Sequence, residues 1–456
     1  MSVSIRPLAR FSARLAVALV ALLVVSLAAN VGHAQVIQQA IGGISVDANG
    51  VLTNAELDLT NRLRQLRLEV AHAVPGDMSQ PTELRKISLK QLDAVIAQHL
   101  ADGSPLPDEV KYLAGLQRIK YVLVYPEHND IVLAGFGEGW KVDNRGNVVG
   151  LTTGRPVLLL DDLLVALRTG ELAANGGISC SIDPTKDGLQ RLQAFMKTQN
   201  TIGPDPLATI NNIQETLGAQ TITVSGVPSN SHFARVLVAA DYKMKRLAMK
   251  FDEAPIAGLP SFLDMTKANG RGMRQMMPRW WLATDYDSLL TDAEGLTWEL
   301  RGQGVKAFTE DDFATATGNR EHTGKANPVA QKWADNMTHH FEALAAKEPI
   351  FGELRNIMDL AVVSALIYKE NLAAKSSFSM PTLLNESDLV TEEYYVPSKV
   401  DSKASFVKKG RNWVISASGG VQINSWAIAD KKEQTEALAP VREQAVAPQP
   451  DAWWWN

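Results

Sequence analysis

The chain has 456 residues, a hydrophobic content of 45% and a formal net charge of −5 at pH 7. A chain of this length and composition can fill more than one hydrophobic core. The charge argues against nucleic acid as a partner, because a mildly acidic surface without a basic run repels the phosphate backbone. Cys180 is the only cysteine, so an internal disulfide is excluded and the stability of the fold must come from burial.

The N-terminal residues predict export. Three arginines precede an unbroken apolar run at residues 15–29, and small residues follow it. This order is typical of a secretory signal peptide at residues 1–34, with cleavage after Ala34. An uncleaved anchor is the alternative, although the run is shorter than the about 20 residues that a spanning helix needs. Cleavage removes three arginines and no acid, which gives a net charge of −8. We expect an exported, soluble protein, periplasmic or extracellular, with no integral membrane span after cleavage.

Residues 35–116 predict a small helical N-terminal region, because apolar residues recur at helical spacing near residues 59–70, 89–100 and 108–116. Residues 117–270 predict a layered α/β core. The apolar pattern changes there to short alternating runs, which indicates strands, and then strands and helices follow one another.

Residues 271–428 predict a strand-rich segment, then two helices and a final hairpin. Two strands, residues 296–302 and 304–311, are predicted to pair through the intervening glycines. The second helix, residues 351–372, is apolar nearly all round and is therefore expected to be buried. Residues 429–456 are polar and interrupted by prolines, which is typical of a disordered tail. The predicted class is α+β, with a mixed sheet and packed helices.

Two stretches come close to ligand motifs, and we predict neither a metal nor a cofactor from them. Residues 318–328 fail as a phosphate loop because the glycine spacing is too long and Ala326 replaces the hydroxyl that binds magnesium. Residues 45–56 have the spacing of a calcium loop, but a serine stands where the first aspartate should be. A helix capped by Asn327 and a hairpin turn explain the same residues.

Cys180 is the only candidate thiol nucleophile. It alternates with Ile178 and Ile182 on the apolar face of a predicted strand, where a thiol behaves as a small hydrophobic group. Catalysis by Cys180 would need His232 or another base within hydrogen-bond distance.

Ser229, Ser231 and His232 lie where a predicted strand ends and a helix begins. The free N–H groups at such a helix start can hold a ligand, and layered sheets often bind ligands in this crevice. An ordinary helix cap by Ser229 or Ser231 explains the same residues. We therefore keep both a ligand-binding crevice and a cap as predictions for this stretch.

Trp453, Trp454 and Trp455 end the polar tail. Exposure of so much aromatic surface to water is unfavourable by several kcal/mol at about 25 cal/mol per Å². The three tryptophans must therefore dock on the protein itself, on an envelope or extracellular protein partner, or at a membrane interface. The sequence leaves these alternatives open.

Four long stretches carry a family resemblance, namely "GFGEGWKVD", "TTGRPVLLLDDLLVALR", "SHFARVLVAADYKMKRLAM" and the segment from residue 322 to residue 367. They resemble a family of exported planctomycete proteins known as domain of unknown function 1598. The resemblance covers most of residues 117–370. It implies a role in the cell envelope or outside the cell and supplies no catalytic residue.

The sequence as a whole favours an exported, non-enzymatic binding or scaffold protein whose tail docks on a partner. The polar side chains that could do chemistry occur singly, each with a packing or capping role. The alternative is a hydrolase or a small-ligand-binding protein that uses the crevice near Ser229 to His232 or the thiol of Cys180.

Overall fold

The computed structural model describes residues 41–55, 74, 76–143, 145–198, 206–268, 277–314, 320–322, 327–407, 412–415 and 418–456. The predicted signal peptide and the predicted helix at residues 59–70 lie outside these residues. Within them the chain has the α+β class that the sequence predicts, with helices packed on mixed sheets.

Twenty strands are found in the described residues. In chain order they are β1 (Ile44–Val46), β2 (Val51–Asn54), β3 (Thr82–Ser88), β4 (Tyr121–Tyr125), β5 (Asp130–Gly137), β6 (Trp140–Val142), β7 (Val148–Gly150), β8 (Ile178–Pro184), β9 (Gln220–Ser225), β10 (Met277–Asp285), β11 (Leu289–Thr291), β12 (Thr297–Glu299), β13 (Gly304–Ala314), β14 (Arg320–His322), β15 (Lys399–Val400), β16 (Ala404–Val407), β17 (Asn412–Ile415), β18 (Ser418–Ile423), β19 (Lys432–Gln434) and β20 (Trp454–Trp455).

The helices are α1 (Gly76–Ser79), α2 (Leu89–Ala101), α3 (Asp108–Lys111), α4 (Leu160–Thr169), α5 (Lys186–Thr198), α6 (Pro206–Leu217), α7 (His232–Ala248), α8 (Phe262–Ala268), α9 (Pro328–His339), α10 (Phe341–Lys347), α11 (Pro349–Lys369), α12 (Leu372–Ser376), α13 (Ser425–Ala429) and α14 (Ala439–Gln444).

The larger sheet has nine strands in the order β1-β2-β15-β9-β8-β18-β10-β13-β14. Next to its central strand β8 lies β18, which is antiparallel to β8 and parallel to β10. Gly419 and Gly420 permit this insertion. A Cβ at Gly419 would lie 1.7 Å from the carbonyl oxygen of Trp280, and one at Gly420 would lie 1.9 Å from that of Cys180. Larger residues at these two positions would therefore force the central strands apart.

The smaller sheet has seven strands in the order β19-β11-β12-β4-β5-β3-β20. The pair β4 and β5 is almost continuously apolar and buried, from Val122 to Val124 and from Ile131 to Ala134. Two short pairs, β6 with β7 and β16 with β17, stand outside the two large sheets. The first of these is an antiparallel hairpin.

The helices α4, α7 and α11 pack on one another, and α7 also covers β8 and β18. The prediction of a buried helix is confirmed, because every residue of α11 from Ile350 to Ile367 is buried. The first turns of α4, α7 and α11 meet at one end of this layer, and that end holds the site described below. Among the described residues, no helix has the length and hydrophobicity that crossing a membrane requires.

The described parts of the near matches to ligand motifs have the ordinary structures proposed for them, whereas residues 318, 319 and 323–326 lie outside the described residues. Asn327 accepts hydrogen bonds from the amides of Val329 and Ala330 and caps α9, with Pro328 as the first helical residue. Asp47 accepts hydrogen bonds from the amides of Asn49 and Val51 in the turn between β1 and β2. The last residue of that candidate calcium loop lies outside the described residues.

The predicted pairing of residues 296–302 with residues 304–311 is wrong. β12 pairs with β11 and β4 in the smaller sheet, whereas β13 pairs with β10 and β14 in the larger one. Gly302 and Gly304 have φ values of +103° and +91°, so the connection does turn sharply. The turn carries the chain from one sheet to the other instead of closing a hairpin.

The prediction of a disordered tail is also corrected. β19 pairs in parallel with β11 at one edge of the smaller sheet, and β20 pairs antiparallel with β3 at the opposite edge. Between these edges, Leu438 and Ala445 are buried and α14 contacts β12. The polar composition of the tail is outweighed by backbone pairing at both edges and by a few buried apolar side chains.

Candidate functional site

A cavity of about 360 Å³ opens where the first two turns of α4, α7 and α11 meet. Loop residues after α12 and residues near α3 and β7 complete its wall. The lining residues used below are Lys111, Tyr112, Asp161, Asp162, His232, Glu353, Glu392 and Tyr394. Ile41, Leu106 and Leu389 provide apolar surface. The volume falls in the range of about 300 to 1,000 Å³ that is usual for small-molecule sites.

Local sequence fixes the position of His232. The hydroxyl of Ser231 accepts a hydrogen bond from the amide of Ala234 and donates one to the carbonyl oxygen of Pro228. Ser231 thus caps α7, and His232 becomes the first helical residue. On the facing helix, Asp161 and Asp162 lie in the first turn of α4, where the helix dipole favours a negative charge.

His232 and Asp162 form the best-defined pair in the cavity. The imidazole Nδ1 lies 3.0 Å from both carboxylate oxygens of Asp162, and the side chains are 11% and 6% exposed. Burial opposes the charged imidazole, but the charge and hydrogen bond of Asp162 outweigh it and raise the pKa of His232 to about 9. His232 is therefore an imidazolium at neutral pH.

Two further carboxyl groups have pKa values close to neutrality. Burial raises the pKa of Asp161 to about 6, although its carboxylate accepts a hydrogen bond of 3.1 Å from the amide of Glu392. Burial also raises the pKa of Glu353 to about 7. Glu353 is 9% exposed, and its Oε2 is buried without a hydrogen-bond partner among the described residues.

The charge of the cavity is unbalanced. The described residues that line it include four carboxyl groups, at Asp161, Asp162, Glu353 and Glu392, against the basic groups of Lys111 and His232. The phenol of Tyr394 donates a hydrogen bond of 3.1 Å to Glu392. Such a cavity can attract a cation and can exchange protons with a ligand near neutral pH.

The structure separates the residues of the predicted crevice. His232 lines the cavity, Ser231 is a buried cap, and Ser229 is not among the lining residues. The sequence therefore identified the correct start of α7, and the prediction of a helix cap is confirmed for Ser231.

Cys180 does not take part in this cavity. The thiol is 4% exposed on β8, as the alternating pattern predicts, and burial raises its pKa strongly. His232 lines the cavity, whereas Cys180 is not among the lining residues. The geometry therefore does not support a hydrolase that combines Cys180 with His232.

The three C-terminal tryptophans dock on the protein's own fold. Trp455 is buried, the carbonyl oxygen of Trp453 accepts a hydrogen bond from Ser88, and the Arg85 guanidinium stacks 5.3 Å from the ring centre of Trp454. Of the three alternatives left open by the sequence, the intramolecular one is observed. A partner bound through the tail is therefore not supported.

Sequence reasoning missed Asp161, Asp162 and Glu353. Two signals were available: paired acids at the start of an otherwise apolar helix, and an acid inside a helix that is expected to be buried. Tyr394 had no such signal, because it lies in the irregular loop between α12 and β15.

The comparisons with known proteins agree with the resemblance in part. Residues 180–262 match the family model described as a protein of unknown function (DUF1598). The chain matches no curated protein and no solved structure. The matched segment runs from β8 to the start of α8 and contains His232, whereas the carboxyl groups of the cavity lie outside it.

Proposed function

We propose that the protein is exported and binds a small ligand with a protonated amino group in the acidic cavity. The observation that carries this proposal is the buried Oε2 of Glu353, which lacks a hydrogen-bond partner among the described residues. A buried carboxylate without a partner is costly, and an ammonium group supplies both charge and hydrogen-bond donors. The role is that of a binding protein, in line with the non-enzymatic function expected from the sequence.

The rest of the lining supports a cation. Four carboxyl groups outnumber the two basic groups, and the rings of Tyr112 and Tyr394 lie among the lining residues. Aromatic rings stabilise a desolvated cation that lies over their faces. The apolar side chains leave room for a short hydrocarbon part of the ligand. Within the described residues, no three His, Cys, Asp or Glu side chains are grouped to hold a metal ion.

Binding of an amine should depend on pH. The amine favours the ionised forms of Asp161 and Glu353, whose pKa values are about 6 and about 7. Binding therefore releases protons from these groups, and affinity should increase as pH rises through this range. Above pH 7 the gain should level off, because both carboxyl groups are then ionised before the amine binds.

Pentylamine, pentanol and pentanoate test the proposal, because they share a chain length and differ in charge. At pH 8 we expect pentylamine to raise the melting temperature of the mature chain more than the other two compounds do. Glu353→Gln should abolish most of that increase, and the exposed control Glu386→Gln should retain it. Equal increases with all three compounds would overturn the proposal. N-terminal sequencing of the secreted protein tests export and should give a chain that begins after Ala34.

An acid–base enzyme is a second candidate, favoured by the pKa values of Asp161 and Glu353 near neutrality. The described lining residues include no Ser, Thr or Cys, and the simplest reaction for their carboxyl groups is the activation of a water molecule. Hydrolysis of N-pentylacetamide, with addition of water to the amide and release of acetate and pentylamine, is a direct assay. Release of pentylamine that Glu353→Gln abolishes would support the enzyme, and no release would leave the binding role.

A further inference from the structure

Arg235 is the most unusual buried charge among the described residues. It is 0% exposed, and its Nε, Nη1 and Nη2 atoms all lack a hydrogen-bond partner among those residues. An unpaired buried cation costs several kcal/mol, so buried guanidinium groups normally lie against an anion. Burial lowers the pKa of Arg235 to about 10, which leaves it charged at neutral pH. The group thus has a positive charge and hydrogen-bond donors without an acceptor.

Arg235 lies beside the acidic cavity. It follows His232 by three residues on α7, and residues at this spacing lie on the same face of a helix. The ring of Tyr394 lies close to the side chains of both Arg235 and His232. Its centre is 5.9 Å from the Arg235 guanidinium and 6.1 Å from the centre of the His232 ring. Tyr394 lines the cavity and Arg235 does not, so the guanidinium lies next to the cavity, against a ring of its wall.

Tyr394 separates the guanidinium from the cavity. Its side chain is 5% exposed and packs in the main hydrophobic core, in the irregular loop between α12 and β15. Its amide donates a hydrogen bond of 2.8 Å to the carbonyl oxygen of Asn230, and its phenol donates to Glu392. A rotation of the Tyr394 side chain breaks the phenol hydrogen bond and the ring contacts with His232 and Arg235, and it leaves the backbone bond intact. Contact between the guanidinium and a ligand in the cavity requires such a rotation.

We propose that Arg235 is an anion-binding subsite, and that the ligand of the cavity is a zwitterion with a carboxylate for Arg235 and an ammonium group for the carboxyl groups. This inference rests on the proposed function, because the ammonium end binds at Glu353 and its neighbours. The carboxylate of the ligand takes the place of the Tyr394 ring on the guanidinium. Arg–carboxylate pairs are often bidentate, which suits a guanidinium with unused donors.

The test compares pentylamine with two zwitterions of the same carbon number, 5-aminopentanoate and L-norvaline. The two zwitterions differ in the separation of their charged groups, so the tighter one reports the distance between the two subsites. We expect one of them to bind at least tenfold more tightly than pentylamine at pH 8, measured by titration calorimetry. Arg235→Met should abolish this gain and should not weaken the binding of pentylamine, because the variant removes a positive charge that repels an ammonium group.

Arg235→Met should fold, because it replaces an unpaired buried charge with an apolar side chain of similar length. Arg235→Lys keeps the charge but cannot bind a carboxylate in bidentate fashion, so it should retain only part of the gain. A zwitterion that binds no more tightly than pentylamine would overturn the inference, and so would a gain that survives Arg235→Met.

Binding of pentanoate distinguishes a failure of this inference from a failure of the proposed function. Pentanoate has the anionic group alone, so its weak binding should depend on Arg235 and should not depend on Glu353. Loss of pentanoate binding in Arg235→Met supports the anion subsite even where pentylamine gives no signal. Pentylamine binding that needs Glu353, with no compound sensitive to Arg235→Met, supports the proposed function and rejects the subsite.

Discussion

Two regions that the sequence singled out, the start of α7 and the tail at residues 429–456, behave in opposite ways. At the start of α7, charged side chains from three helices converge on a cavity, and Glu353 has an oxygen without a hydrogen-bond partner among the described residues. In the tail, the aromatic side chains lie against the protein and the backbone pairs at two sheet edges. Buried charged groups that lack such partners are candidates for ligand contacts, whereas aromatic side chains that are already covered have a structural role.

The tail shows how a polar segment becomes ordered. Its backbone continues the ladder of the smaller sheet at both ends, so β3 and β11 are not left as open edges. Side-chain hydrogen bonds fasten the part between them, since Tyr125 donates to the carbonyl oxygen of Arg442 and Gln91 donates to that of Pro450. The tail therefore acts as a strap that supplies the outer strand at both edges of the smaller sheet.

The largest expected effect tests whether the tail stabilises the fold. Trp455→Ala should lower the free energy of unfolding by about 3 kcal/mol, because it removes a buried aromatic side chain and leaves a cavity. Val446→Ala is the matched control, because Val446 is an exposed apolar residue of the same tail and should cost less than about 1 kcal/mol. Urea unfolding measures both values. A Trp455→Ala cost as small as that of Val446→Ala would mean that the tail is not a structural strap.

The next largest expected effect tests how the buried carboxyl group of Glu353 changes the stability of the protein. The pKa of Glu353 is raised to about 7 from an ordinary value of 4.5, so the native state holds a proton that the unfolded state has released. Stability should therefore fall as pH rises from 4.5 to 7, and the full cost remains at higher pH. Glu353→Gln should increase the free energy of unfolding by about 3 kcal/mol at pH 8.

At pH 4.5, Glu353→Gln should have little effect on the free energy of unfolding, because Glu353 is protonated in the native state at that pH. Glu386→Gln changes an exposed carboxyl group and should give no pH-dependent difference between the two conditions. An equal gain from Glu353→Gln at both pH values would show that Glu353 is not held in an unfavourable charged state.

The smallest expected effect tests the electrostatic interaction between His232 and Asp162 in the cavity. NMR titration of His232 should give a pKa of about 9, and Asp162→Asn should lower it, because burial is then opposed only by the more weakly acting charges of Glu353 and Asp161. The pair stabilises the native state fully below pH 6.5, and this contribution is lost as pH rises through 9. His99 serves as the internal control, because it lies outside the cavity lining. A pKa of His232 that Asp162→Asn leaves unchanged would contradict the pairing.

Much of the fold could be predicted from local patterns. The caps of α7 and α9, the buried position of Cys180, the all-round burial of α11 and the hairpin of β6 and β7 each depend on residues that are close in sequence. The periodicity of apolar residues and the chemistry of caps decide such features. These two signals do not show which strands pair in a sheet. The predicted pairing of β12 with β13 is wrong for that reason.

The candidate site was only partly predictable. His232 was identified by its position at a helix start, but its partner Asp162 lies 70 residues away in the sequence. Glu353 and Tyr394 come from still more distant segments. Each of these side chains taken singly resembles an ordinary surface or capping residue, and only their convergence gives the cavity its charge.

The sequence by itself determined the α+β class, the positions of many helices and strands, and the inert environment of the single thiol. These features follow from short-range spacing, because a helix or strand buries the face on which its apolar residues recur. Tertiary structure alone decided that the tail supplies both edge strands of a sheet and that charges from α4, α7 and α11 share one cavity. Sheet edges and helix starts become neighbours only through packing of distant segments. Burial then sets the pKa values and leaves side-chain atoms of Arg235 and Glu353 without hydrogen-bond partners among the described residues.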